Sequence, residues 1–241
     1  NPVGRRAITG KNLPDRTVQS MKFPDAPYGL KMACGENPKR VYGDKGGPAT
    51  RMGNVAGYRQ AWADAQDYKR QWEKYRAEHK AGKNPKAPKR DLTMDTLVGV
   101  LDGEIMVHMH CYRADEMAIM MDLMKEFEYQ IASFQHAVES YKITDILAEN
   151  NVCSAMWADW WGFKMESYDA TSANAAIAEK YGVKTIMHSD SSEDIRHLNH
   201  EAAKVIKAGK DLGIMINEQE AMAWITLNAA WALGIDKQVG S

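Results

Sequence analysis

The chain has 241 residues, 31 Lys+Arg against 32 Asp+Glu, a formal net charge of −1 at pH 7, and 44% hydrophobic residues. Near-neutral charge argues against a general nucleic-acid binder, which carries a basic excess, and the apolar content excludes wholesale disorder. No apolar run approaches the roughly 18–20 residues of a membrane span, and three cysteines (Cys34, Cys111 and Cys153) are too few and too scattered for a disulfide framework.

Residues 1–27 are rich in Pro, Gly, Arg and Lys without a sustained period and read as loop. The apolar run 28–34 reads as a strand containing one charged residue, Lys31. Residues 35–53, punctuated by Gly and Pro, read as an extended loop. A long polar helix is predicted over 54–81, with Tyr58, Trp62, Tyr68, Trp72 and Tyr75 at helical spacings. A basic, Pro-containing linker, 83–90, follows it, and its charge reads as a solvated surface.

From residue 91 strands and helices alternate. Helices are predicted at 92–101, around 117–124, and at 140–149, 172–180, 193–212 and 218–233. Strands are predicted at 103–108, 131–134, 152–156 and 183–187. The methionines at 117, 120, 121 and 124 form a helical stripe. Core packing explains them better than a copper site, because the flexible thioether fills gaps. Alternation without hairpin signals argues for βα units and a parallel sheet.

The strands close on polar residues. The segment at 103–108 runs into His108-Met109-His110, the one at 131–134 into Gln135-His136, and the one at 183–187 into His188-Ser189-Asp190. In a parallel barrel or doubly wound sheet these ends converge on the functional face. A barrel averages roughly 31 residues per unit, so His108 and His136 fit neighbouring strands and Asp190 fits two strands later. Two imidazoles, a carboxylate and a modified lysine suit a divalent metal such as zinc. Asp190 has a plainer reading too, as the cap of the following helix.

The segments Gly29-Leu30-Lys31-Met32-Ala33-Cys34-Gly35-Glu36-Asn37-Pro38-Lys39, Val107-His108-Met109-His110-Cys111-Tyr112-Arg113-Ala114-Asp115, His136-Ala137-Val138-Glu139 and His188-Ser189-Asp190-Ser191 resemble the metal-dependent amidohydrolase superfamily. The likeness runs over roughly 28–235 and is closest to its imidazolonepropionase-like and prolidase-like branch. It implies an α/β fold, a (β/α)8 TIM-type barrel beside a small β-sandwich. It implies Lys31, N-carboxylated, at the strand-4 metal position. His108 would be the strand-5 ligand, His136 the strand-6 ligand, and Asp190 the strand-8 ligand and catalytic carboxylate. His110, Tyr112 and Arg113 would contact substrate or support the ligands. One or two divalent ions, zinc by the donor chemistry, would activate a hydroxide that attacks an amide, peptide or cyclic-amide bond in a small molecule or short peptide.

The family's upstream His-x-His metal pair has no counterpart in residues 1–27, which contain no His. The expectation is therefore a partial hydrolase barrel over 1–241, lacking strands 1–3 and the β-sandwich, with a charged helical insertion at 54–90. A non-catalytic ligand- or metal-binding paralogue, or an inactive fragment of such an enzyme, is the alternative. No nucleic-acid partner and no membrane span are expected, homo-oligomerisation is left open, and no targeting signal is legible.

Overall fold

A computed structural model of the protein describes residues 7–9 and 17–241. Five strands, β1 (Tyr28–Ala33), β2 (Ile105–His110), β3 (Ile131–Gln135), β4 (Cys153–Met156) and β5 (Thr185–Met187), form one sheet in chain order. Every neighbouring pair is parallel. The strands thus lie where the sequence predicts them. Their order advances without the reversal that marks a doubly wound sheet, as in the wall of a barrel.

The helices are α1 (Val18–Met21), α2 (Glu36–Tyr42), α3 (Arg51–Lys80), α4 (Leu92–Leu101), α5 (Ala114–Glu126), α6 (Thr144–Glu149), α7 (Asn174–Lys180), α8 (Leu198–Asp211), α9 (Glu218–Ile225) and α10 (Leu227–Ala232). Local chemistry sets several of their ends. The Asp91 carboxylate accepts from the backbone of Thr93 and Met94 at the start of α4, satisfying amides that have no intrahelical partner. Asn217 and Glu220 form a reciprocal capping box on α9. The stripe Met117, Met120, Met121 and Met124 on α5 is buried in the main core with Ile131 and Phe134 of β3.

Several sequence expectations need correction. Residues 35–53 are not an extended loop: they contain α2, a 3-10 turn at Gly43–Lys45 and the start of α3. Pro38 hid α2 from a reading by composition, yet it sits in the first helical turn, where its missing N–H costs nothing. The helix predicted at 218–233 breaks at Thr226, which leaves helical geometry at φ −132° and ψ −89°. The segment 140–149 opens as a 3-10 turn, Ser140–Lys142, before α6 begins. Within 1–27, the described part holds α1 and an antiparallel bridge from Thr9 to Lys22. Residues 1–6 and 10–16 lie outside the described residues.

Cysteine pairing is the largest correction. Cys34 and Cys111 form a disulfide, with Cα atoms 5.2 Å apart, inside the range that a bridge requires. Ala33 and His110 are register partners, so the next residue on each chain is brought alongside. The spacing of the cysteines along the chain hides a proximity that parallel pairing creates. Cys153 is buried and unbonded.

Helix α3 accounts for most of the predicted insertion at 54–90. Its buried residues are Asn54, Trp62 and Ala65, all in its first half. Trp62 stacks on Tyr129 at 4.4 Å between ring centroids. Tyr58 does a different job: its hydroxyl donates to the Ala33 carbonyl at 2.5 Å and lies 3.3 Å from the Ala33 amide. It thereby occupies backbone groups at the end of β1, a strand with one neighbour in the sheet. The distal half is tied to α4 by Tyr68 to Asp95 and Lys69 to Asp102. Among the described residues no helix is long and apolar enough to cross a membrane.

Candidate active site

Parallel pairing delivers the polar ends of β1, β2, β3 and β5 to one end of the sheet. A cavity of about 760 Å³ opens there, lined by Lys31, Asn37, His110, His136 and Asp190, with Tyr58 and Trp62 among its apolar walls.

His136 follows β3 and is 4% exposed. Its Nε2 stands 3.6 Å from Asp190 Oδ2, and its Nδ1 lies 3.2 Å from Nε2 of His188. The ring stacks on Trp157 at 4.9 Å. His110 closes β2, and its ring centroid is also 4.9 Å from that of His136. Tyr112 completes this wall at 4.6 Å from His110. His136 and Asp190 both adopt left-handed backbone, at φ +60° and +53°. Non-glycine residues rarely do so, and such geometry concentrates at functional sites.

Asp190 is not a helix cap. The hydroxyl of Ser191 accepts from the backbone amides of Glu193 and Asp194, each at 3.2 Å. That leaves the 65%-exposed carboxylate of Asp190 free to face His136.

The electrostatics are consistent across the cluster. Burial, followed by the neighbouring His188, His110, Lys31 and Lys164, holds His136 well below the ordinary imidazole range. Burial pushes His110 down to about 3, helped by Lys31, Lys164 and His188. It pushes His188 down to about 3 as well, with Lys31 contributing. All three rings are therefore neutral at pH 7, the state in which imidazole offers a lone pair. Burial raises the Tyr112 phenol, with Glu166, Asp190 and Glu36 adding to the effect.

The remaining predicted residues separate. Lys31 Nζ donates to the Gln135 side-chain oxygen, reaching across β2 to β3. His108 is Lys31's register partner. It lies one inward-facing position before His110, bonds Ser133 Oγ at 3.0 Å through Nδ1, and lines a smaller cavity of about 230 Å³ with Gly29 and Lys31. Arg113 turns away to Asp115, its Nε and Nη2 making bonds of 2.9 and 3.1 Å to the two carboxylate oxygens. The structure therefore brings together Lys31, His110, His136, Asp190 and Tyr112, and leaves His108 below them and Arg113 beside them.

For a metal, His136 Nε2 and Asp190 Oδ2 offer one nitrogen and one oxygen donor at 3.6 Å. Two donors sharing one tetrahedral zinc, each ~2.1 Å from it, lie about 3.4 Å apart. This pair fits in chemistry and spacing. Among the described residues no group of three His, Cys, Asp or Glu side chains stands at metal-binding geometry. The nearest further imidazole is that of His110 or His188.

His188, Asn37 and Trp157 also belong to the site, beyond the residues that the sequence points to. His188 was visible as a strand-end histidine. Asn37 sat in a segment read as loop, and nothing in the local sequence tied it to His110, whose Nε2 its Nδ2 meets at 3.0 Å. Trp157 follows β4 directly, a position that could have marked it.

No family model matches the chain. Amidohydrolase tasK of Hapsidospora irregularis is 30% identical over 249 residues, an alignment spanning 98% of this chain and 24% of that protein. The crystal structure of an amidohydrolase from Thermotoga maritima MSB8 superposes with a TM-score of 0.77 at 30% identity, covering 93% of this chain and 56% of that one. The chain is amidohydrolase-like. The chain spans about a quarter of the curated relative's length and just over half of the crystallised one's.

Proposed function

We propose that this amidohydrolase-like chain carries the β1–β5 portion of a metal-dependent hydrolase site on a (β/α)8 barrel, acting on amide, peptide or cyclic-amide bonds in a small molecule or short peptide. The imidazolonepropionase-like and prolidase-like branch is the proposed affiliation. The observation that carries the reading is the 3.6 Å approach of Asp190 to a buried, neutral His136, made while Ser191 performs the capping that would otherwise explain the aspartate.

His110, His136 and Asp190 would hold a divalent ion, zinc by donor chemistry, with Lys31 in carboxylated form a further candidate for a second ion. A bound ion supplies Lewis-acid polarisation of the scissile carbonyl and lowers the pKa of a water toward ~7. The protein's own part is proton handling. The Asp190 carboxylate accepts the proton of the attacking water and returns it to the leaving nitrogen, the two tasks that C–N hydrolysis sets a general base and acid. The neutral imidazoles donate lone pairs and take no proton at pH 7. Tyr112 and Trp157 wall the rings and restrict water.

The test is elemental analysis of the purified protein, joined to hydrolysis of a dipeptide, N-acyl amino acid and cyclic-amide panel before and after chelation. Metal content with chelator-sensitive turnover supports the proposal. Metal without turnover on any class would favour a binding scaffold, and a metal-free protein that regains neither zinc nor activity on dialysis would reject it.

A further inference from the structure

Asn37 touches His110, and the atoms it uses constrain the imidazole. Asn37 lies in the first turn of α2. Its Oδ1 is 3.3 Å from Lys164 Nζ, and its Nδ2 is 3.0 Å from His110 Nε2. An ammonium only donates. The amide end facing Lys164 must therefore be the carbonyl, so the nitrogen end faces His110. That amide nitrogen also only donates, so Nε2 of His110 must be the bare nitrogen and Nδ1 must carry the proton. The orientation follows from the charge on Lys164 and does not depend on which way an amide was assigned.

Lys164 is itself held. Its Nζ lies 2.9 Å from Glu166 Oε1 and 4.4 Å above the ring of Tyr112. The other oxygen, Oε2 of Glu166, accepts from the backbone amide of Glu36 at 2.8 Å. One buried carboxylate thus fixes both the cation that orients Asn37 and the backbone that carries it. Gly35 makes room for this. A Cβ at that position would stand 2.6 Å from Glu166 Oε2, and its φ of +75° is glycine territory.

We propose that Lys164 and Asn37 are positioning residues that lock His110 as the Nδ1–H tautomer and present the Nε2 lone pair to the cavity. The role rests on the reading of His110 as a member of the reactive cluster. The Nε2 atom has a single in-plane lone pair. The Asn37 amide therefore marks its direction, and an electrophile bound in the cavity would take that lone pair in place of the amide. Both act through His110, Asn37 by its bond to Nε2 and Lys164 by its bond to Asn37. Partners that fix the tautomer of a ligating histidine are commonly worth ~10–100-fold in metal affinity or activity.

The experiment is long-range 1H–15N NMR on metal-free, 15N-histidine-labelled protein at pH 7.5, with His110 assigned by the signal lost in His110→Gln. The wild type is expected to show a pyrrole-type shift at Nδ1 and a pyridine-type shift at Nε2. In Asn37→Asp the new carboxylate can only accept, so the two shifts should exchange places. In Lys164→Gln the Asn37 amide is free to turn, and the shifts should average toward each other. Circular dichroism selects variants that remain folded, and either variant alone suffices for the comparison. A wild-type His110 protonated on Nε2, or shifts unmoved in a folded variant, overturns the proposal. This readout needs no turnover. Expected tautomers in a protein that hydrolyses nothing would leave the positioning intact and reject the hydrolase reading. Where turnover is found, Asn37→Asp should lower kcat by ~10–100-fold with KM little changed.

Discussion

His136 Nε2 stands 3.6 Å from Asp190 Oδ2, although the two residues close different strands and reach each other across the end of β4. Each pays for that approach in left-handed backbone. The pair sets an imidazole nitrogen beside a carboxylate whose capping duty has passed to Ser191.

Asp190→Asn separates catalysis from structure. Asn tolerates left-handed backbone as well as Asp does, and the Ser191 cap remains. Stability should change by no more than about 0.5 kcal/mol, as for other exposed positions. Turnover should fall ~100-fold or more, the scale of general acid–base catalysis. Steady-state kinetics beside thermal unfolding check both, and a variant with near-normal kcat would remove Asp190 from the reaction.

The two histidines of β2 should behave differently. His110→Gln is expected to weaken zinc binding ~100-fold or more, at or beyond the upper end of what supporting residues contribute. His108→Gln should leave zinc binding near the wild-type value, because His108 lies toward the smaller cavity with Ser133. Isothermal titration with zinc on both variants decides this. The reverse ranking would support His108 as the ligand, as the resemblance to the family implies.

Reduction of the Cys34–Cys111 bridge should cost stability. The bridge closes a loop with a sequence separation of 77, and chain entropy for a loop of that size is worth ~4 kcal/mol. Urea unfolding with and without a thiol reductant, with free thiols counted by mass, measures the loss. An unchanged midpoint in protein proven reduced would contradict the pairing.

Burial pushes the Tyr58 phenol up to about 12, against a smaller opposing effect of its bond to Ala33. The folded value lies above the unfolded one near 10, so Tyr58 supports the fold fully below pH 10. That support is lost as pH rises from 10 through 12, because the unfolded chain ionises first. Two pH units correspond to roughly 2–3 kcal/mol. Tyr58→Phe should cost ~1–2 kcal/mol at pH 7 by orphaning the Ala33 carbonyl, and should flatten the alkaline loss. Denaturant midpoints from pH 8 to 11.5 would show it, and parallel curves for the two proteins would count against the assignment.

Much of this molecule was legible in its pattern of residues. Apolar runs such as 131–134 and 183–187, ended by polar residues and followed by helical stripes, determined the parallel strands and the face where their polar ends meet. That information is local: side-chain alternation and helical period are written into neighbouring residues. The methionine stripe of α5 was assignable to the core for the same reason. The partners were not local, and only the tertiary structure decided them. Strand register set Cys34 beside Cys111, and the contact between the rings of His110 and His136 joins residues that no local pattern links. The bonds from Asn37 to His110 and from Lys164 to Asn37 join residues 73 and 127 apart in sequence. No period or spacing encodes such pairs, because they are selected by the geometry of parallel strands packed side by side and by the need of each buried polar group for a partner.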